Sequence, residues 1–153
     1  MAYETFAGCA LMKGVASADA QRIYEAGLVR TFAPGQTVIA EGEINRNLFV
    51  VLRGGVEVWL PDRDDRFTSV KLARLGVGSC VGEYSFIDEH PTSAAVVAVE
   101  ETELFVLSNE RLSDLVAGNT SLERTLYRNL LVLMIERLRE NNSVLDMIRP
   151  QSR

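Results

Sequence analysis

Histidine is almost missing from this chain, with His90 the sole example in 153 residues. A metal centre of imidazoles and carboxylates needs a cluster of such ligands, and one ring cannot build it. His90 also stands in a polar turn beside Pro91, so no Ser-His-Asp or Cys-His constellation can be assembled around it. Cysteine is scarce too. Cys9 and Cys80 lie too far apart in sequence for metal or redox spacing, and Cys80 reads as a small core filler. Long apolar runs are absent: no uninterrupted one exceeds the length of residues 130–135, far short of the ~20 residues that cross a bilayer. Glu4 and Lys13 interrupt any candidate leader, so no signal peptide is expected. Basic charge is in deficit, with 16 Lys and Arg against 21 Asp and Glu, a formal net charge of −5. That average field repels nucleic acid and anionic membrane alike. Paired acids at Asp64-Asp65 and Glu100-Glu101 occupy polar, turn-like stretches and read as surface charge. These absences describe a soluble, cytoplasmic protein in a reducing compartment, not an enzyme, with no direct nucleic-acid or membrane binding.

What is present fits one domain over residues 1–153, with 47% apolar and 24% charged residues. Residues 1–31 read as helical: Ser17 is placed to cap a helix carrying Ile23, Ala26 and Leu28 that ends near Thr31. Residues 32–107 change texture to short β-rich runs at 38–39, 48–52, 56–60, 70–75, 94–99 and 104–107. Pro34-Gly35, Gly42, Gly54-Gly55, Gly76 and Gly78 punctuate them as turns, and 61–66 reads as an exposed hairpin tip. Short strands without βαβ alternation predict an α+β chain built on an antiparallel sandwich or roll. Residues 108–148 return to helix. Ser108 is set to cap a short helix closed by Gly118, and Thr120 with Glu123 forms a capping-box signature for a long one.

The run from Gly82, Glu83 and Tyr84 through Thr92, Ser93, Ala94 and Ala95 resembles the phosphate-binding cassette of cyclic-nucleotide-binding domains. Pro34-Gly35, Glu41-Gly42-Glu43, Gly54-Gly55 and Leu75-Gly76 support the resemblance by order and spacing, over roughly residues 32–138. It implies an eight-stranded, antiparallel, cupin-like jelly roll (a double-stranded β-roll) flanked by N-terminal helices and a long C-terminal helix. Metal-dependent cupins share that shape but need the ligand cluster this chain lacks. The resemblance further implies a ligand site of Gly82, Glu83, Tyr84, Thr92, Ser93 and Ala94, a cyclic nucleotide (cyclic AMP or cyclic GMP) as its ligand, and Glu83 on the ribose 2′-hydroxyl. Polar residues one turn beyond an Arg-Leu pair reach the base across a dimer in that family, which points to Asn141 and Asn142 after Arg137-Leu138.

One position departs from the pattern. Where the family places the arginine that neutralises the cyclic phosphate, this chain has Thr92. A guanidinium supplies bidentate, charge-assisted bonds to phosphate, whereas a threonine offers one neutral hydroxyl. Removing one member of a buried charge pair costs about 2–5 kcal/mol, or ~30- to several-thousand-fold in affinity. A cavity without its cation and with weakened nucleotide binding is the expectation. Two readings of the same residues stay open: Gly82 and Ala94-Ala95 are small because packing demands it, and Glu83 pairs with a basic side chain as a structural bridge.

The long helix carries two apolar stripes. Leu122, Leu126, Leu130 and Leu133 form one; Leu131, Met134, Leu138, Leu145 and Ile148 form the other, with Asn141 in its seam. A helix buries one face against its own domain, so the second stripe predicts a homodimer, as the resemblance also implies. DNA-binding members carry a helix-turn-helix after this helix, and the sequence ends at Arg153. The reading is therefore a stand-alone regulatory module. Its alternatives are a ligand-free interaction module and the effector half of a transcription regulator.

Overall fold

The central strand of the molecule has no solvent face. In the computed structural model, which describes residues 1–60 and 69–148 (backbone only for 84, 85 and 142–148), residues Asn47–Arg53 form this strand. Side chains alternate across a strand, so Leu48, Val50 and Leu52 enter one core while Phe49 and Val51 enter another. Burial on both sides is why residues 48–52 read as an unbroken apolar run.

Eight strands occur among the described residues: β1 Leu28–Phe32, β2 Thr37–Ile39, β3 Asn47–Arg53, β4 Val56–Leu60, β5 Val70–Leu75, β6 Cys80–Val81, β7 Ala95–Ala98 and β8 Thr102–Ser108. They form two four-stranded sheets in the orders β1-β8-β3-β6 and β2-β7-β4-β5, with every pairing antiparallel. Phe49, Val51, Leu104 and Val106 of the first sheet meet Ile39, Val56, Val96 and Ala98 of the second in the inter-sheet core. This is the antiparallel β-roll expected from the sequence. The expected hairpin tip at 61–66 and the Asp64-Asp65 pair lie outside the described residues.

The other face of the first sheet is covered by helices. These are α1 Ala2–Ala7, a 3₁₀ turn at Ala10–Met12, α2 Ser17–Ala26, α4 Asn109–Val116 and α5 Thr120–Ile148. Phe6, Leu11, Ile23, Leu112, Leu126 and Leu130 pack there on Leu48, Val50, Phe105 and Leu107. A short helix, α3 Glu83–Asp88, follows β6.

Three local expectations are corrected. Helix α2 stops at Ala26, not near Thr31, and the roll begins at Leu28 instead of residue 32. Gly27 is the cause: a Cβ there would sit 2.2 Å from the Phe105 ring, so the chain turns extended where it crosses β8. Ser17 is the first residue inside α2, whose N-cap Ala16 makes no side-chain bond. At the start of α5 the cap is Asn119, whose Oδ1 accepts from the Leu122 amide at 3.2 Å. Thr120 already belongs to the helix. Ser108 does cap α4, accepting from the Arg111 amide at 3.2 Å.

Candidate functional site

Between β6, α3, the segment before β7 and the middle of α5 lies a cavity of about 420 Å³. That is within the ~300–1,000 Å³ range of small-molecule sites. Its wall is mostly apolar, from Ile39, Val58, Leu72, Val81 and Val96. Five sequence-nominated residues also line it: Gly82, Glu83, Thr92, Ser93 and Ala94.

Gly82 opens α3 in a conformation only glycine adopts easily, with φ +82°. A Cβ at this position would lie 2.6 Å from Asn45 Nδ2 and 2.8 Å from the Asn47 carbonyl. Asn45 is itself buried and donates to the carbonyls of Asn47 (2.6 Å) and Gly82 (3.3 Å). The glycine is therefore required by packing, and that packing aims the start of α3.

Glu83 is only 2% exposed. A carboxylate so deep needs a partner, and it has one: Arg137 of α5 donates from Nη1 to Glu83 Oε1 and from Nη2 to the Cys80 carbonyl. Oε2 is buried with no hydrogen-bond partner among the described residues. Burial pushes the nearby Cys80 thiol well above its ordinary range, and the Glu83 charge adds to the shift.

Thr92 is engaged with the loop before β3. Its Oγ1 donates to the Ala40 carbonyl at 2.7 Å, and its amide donates to the Glu43 carbonyl at 2.9 Å. The Gly42 amide donates to its carbonyl at 2.8 Å. Asp88, at the end of α3, also lines the cavity. It accepts from the His90 amide at 2.9 Å, and the His90 ring is exposed.

Arg137 overturns the expectation of a cavity without a guanidinium. Its position extends the stripe of Leu126, Leu130 and Leu133 by one more turn, so a cation continuing an apolar stripe was the available signal. Asn141, one turn further along α5, is exposed and is not part of the cavity lining in this chain. The side chains of Tyr84 and Asn142 lie outside the described residues. Among the described residues no group of His, Cys, Asp and Glu is placed to hold a metal. No helix among them is long and apolar enough to cross a membrane.

Comparison with known proteins gives a consistent result. The family model described as cyclic nucleotide-binding domain matches residues 29–119. The cyclic AMP receptor protein of Thermus thermophilus is 34% identical over 119 residues, covering 78% of this chain and 52% of that protein. A cGMP-dependent protein kinase of Toxoplasma gondii is 32% identical over 110 residues, covering 72% of this chain and 10% of the kinase. The chain thus spans about half the length of the first and a small part of the second. In three dimensions it superposes on a cyclic nucleotide-binding domain from Methylobacillus flagellatus with a TM-score of 0.87. That match has 24% identity and covers 97% of this chain and 85% of the other.

Proposed function

The chain belongs to the cyclic nucleotide-binding domain family, and we propose that it is a non-enzymatic, cytoplasmic regulatory module whose cavity takes a small ligand but holds cyclic nucleotides weakly. The observation that carries this reading is the cavity of about 420 Å³ around buried Glu83, with a neutral Thr92 where the phosphate anchor belongs. Arg137 does not replace that anchor in this reading, because its guanidinium is held by Glu83 through Nη1 and by the Cys80 carbonyl through Nη2. Gly82, Glu83, Thr92, Ser93 and Ala94 form the ligand wall in this reading, with Asn141 supplied from the α5 seam across a dimer.

The second copy follows from α5. Leu122, Leu126 and Leu130 are buried against the roll, whereas Leu131 and Leu138 are 56% and 60% exposed. Tyr127, Leu131, Met134, Leu138 and Asn141 alternate in steps of four and three along the helix. That is the seam of a two-stranded coiled coil, in which a polar Asn sets register. A parallel homodimer through α5 covers the exposed stripe.

Calorimetric titration with cyclic AMP and cyclic GMP tests the cassette. The expected result is binding only near millimolar nucleotide, with a gain of about 30-fold or more in Thr92→Arg. Micromolar binding by the unaltered chain would refute the weak-cassette reading. A ligand-free interaction module is the second reading, favoured by the internal satisfaction of Glu83 Oε1 by Arg137. Saturable binding of any small molecule in the cavity excludes it.

A further inference from the structure

The charges around the cavity do not suit an anion. Among the described residues, its charged lining consists of Glu83, Asp88 and Arg137. Arg137 is paired with Glu83, so their charges offset, and the carboxylate of Asp88, with the His90 amide and ring beside it, is the remaining charge of that lining. It lies on the same short stretch as Pro91, Thr92 and Ser93, where a phosphate would have to sit. His90 approaches Asp88 with its ring Nδ1 3.6 Å from Oδ2 and 2.9 Å from the Asp88 carbonyl oxygen, and the ring is exposed to solvent. The Thr92 hydroxyl proton points to the Ala40 carbonyl, so that side chain offers an anion no donor. Meanwhile Glu83 presents a buried oxygen that lacks a donor among the described residues, between walls of aliphatic side chains.

We propose that the cavity is built for an uncharged molecule of nucleoside size, with an apolar or aromatic body and a sugar-type hydroxyl, in preference to a phosphate-bearing one. This rests on reading the cavity as a ligand site. The hydroxyl donates to Glu83 Oε2, satisfying a group that is costly to leave bare. The body lies on Ile39, Val81 and Val96. Removing the phosphate removes the repulsion from Asp88 and the need for a guanidinium at position 92.

The test is calorimetry on the full chain, with adenosine, guanosine, cyclic AMP and cyclic GMP as probes. At least one nucleoside is expected to bind about tenfold or more tightly than its own cyclic monophosphate. Added salt, which screens exposed charge, should narrow that gap by improving the cyclic monophosphate. Asp88→Asn should strengthen cyclic monophosphate binding more than nucleoside binding; Asp88 is half exposed, so this variant keeps the fold. Thr92→Arg should reverse the order of preference. A cyclic monophosphate that binds the unaltered chain as tightly as its nucleoside overturns the inference and leaves the ligand-site reading standing. No heat from any of the four probes overturns both.

Discussion

Arg137 and Glu83 are separated by 54 positions in sequence and joined by a hydrogen-bonded ion pair beneath the roll surface. The pair ties the middle of α5 to the start of α3, so the long helix is fastened both by its leucines and by a charge. A buried carboxylate that loses its paired cation is left uncompensated, at a cost of about 3–5 kcal/mol. Arg137→Met is therefore expected to lower unfolding free energy by roughly that amount in urea titration. Glu83→Gln combined with Arg137→Met should recover much of the loss. Equal destabilisation in the single and double variants would show that the pair matters only through packing.

Gly82 is the second point of control. Gly82→Ala forces a Cβ into Asn45 and the Asn47 backbone at positive φ, at an expected cost of about 1–3 kcal/mol. Gly76, which has open space around its missing Cβ and no positive φ, provides the control. Gly76→Ala should stay within about 0.5 kcal/mol of the parent chain. Matching unfolding midpoints for the two variants would contradict the strain argument.

The exposed stripe of α5 makes an assembly prediction. Leu138 is 60% exposed, so Leu138→Glu should change the stability of an isolated protomer by no more than about 0.5 kcal/mol. The unaltered chain is expected to sediment as a dimer and the variant as a monomer. A monomeric parent chain at about 100 μM, far above the Kd of a stable coiled coil, would rule the interface out.

Cys80 gives a dependence on pH. Its thiol is buried and its folded pKa is raised well above the ordinary value of 9.0. As pH rises past that value, the unfolded thiol gives up its proton while the folded one retains it. The folded state then binds more protons, and stability falls with rising pH. Cys80→Ala should flatten this alkaline slope in urea midpoints collected from about pH 8 to 10. The parent chain should also resist thiol reagents until it unfolds.

How far the sequence foretells this structure depends on where each element's information resides. Strands β3, β4, β5 and β8 are legible because their apolar runs are continuous or alternate. β1 is not, because Leu28, Val29, Arg30 and Thr31 are exposed and become a strand only by pairing with β8. β6 is two residues long, too short to carry a pattern. The cap of α5 is one residue off because Asn119 and Thr120 are both good capping types, and only backbone geometry after Gly118 chooses between them. In the cavity, Gly82, Glu83, Thr92, Ser93 and Ala94 are legible because they are close together in sequence. Arg137 arrives from a distant helix, and its part in the cavity depends on how α5 docks.

The two-faced burial of β3 has one last consequence. Side-chain direction in a strand reverses with every residue, so adding a single amino acid within Asn47–Arg53 would exchange the inventories of both cores. Residues now sealed beneath the helices would be driven between the sheets, and those between the sheets would be driven outward. The strand therefore tolerates a swap of similar side chains far better than any change in its length.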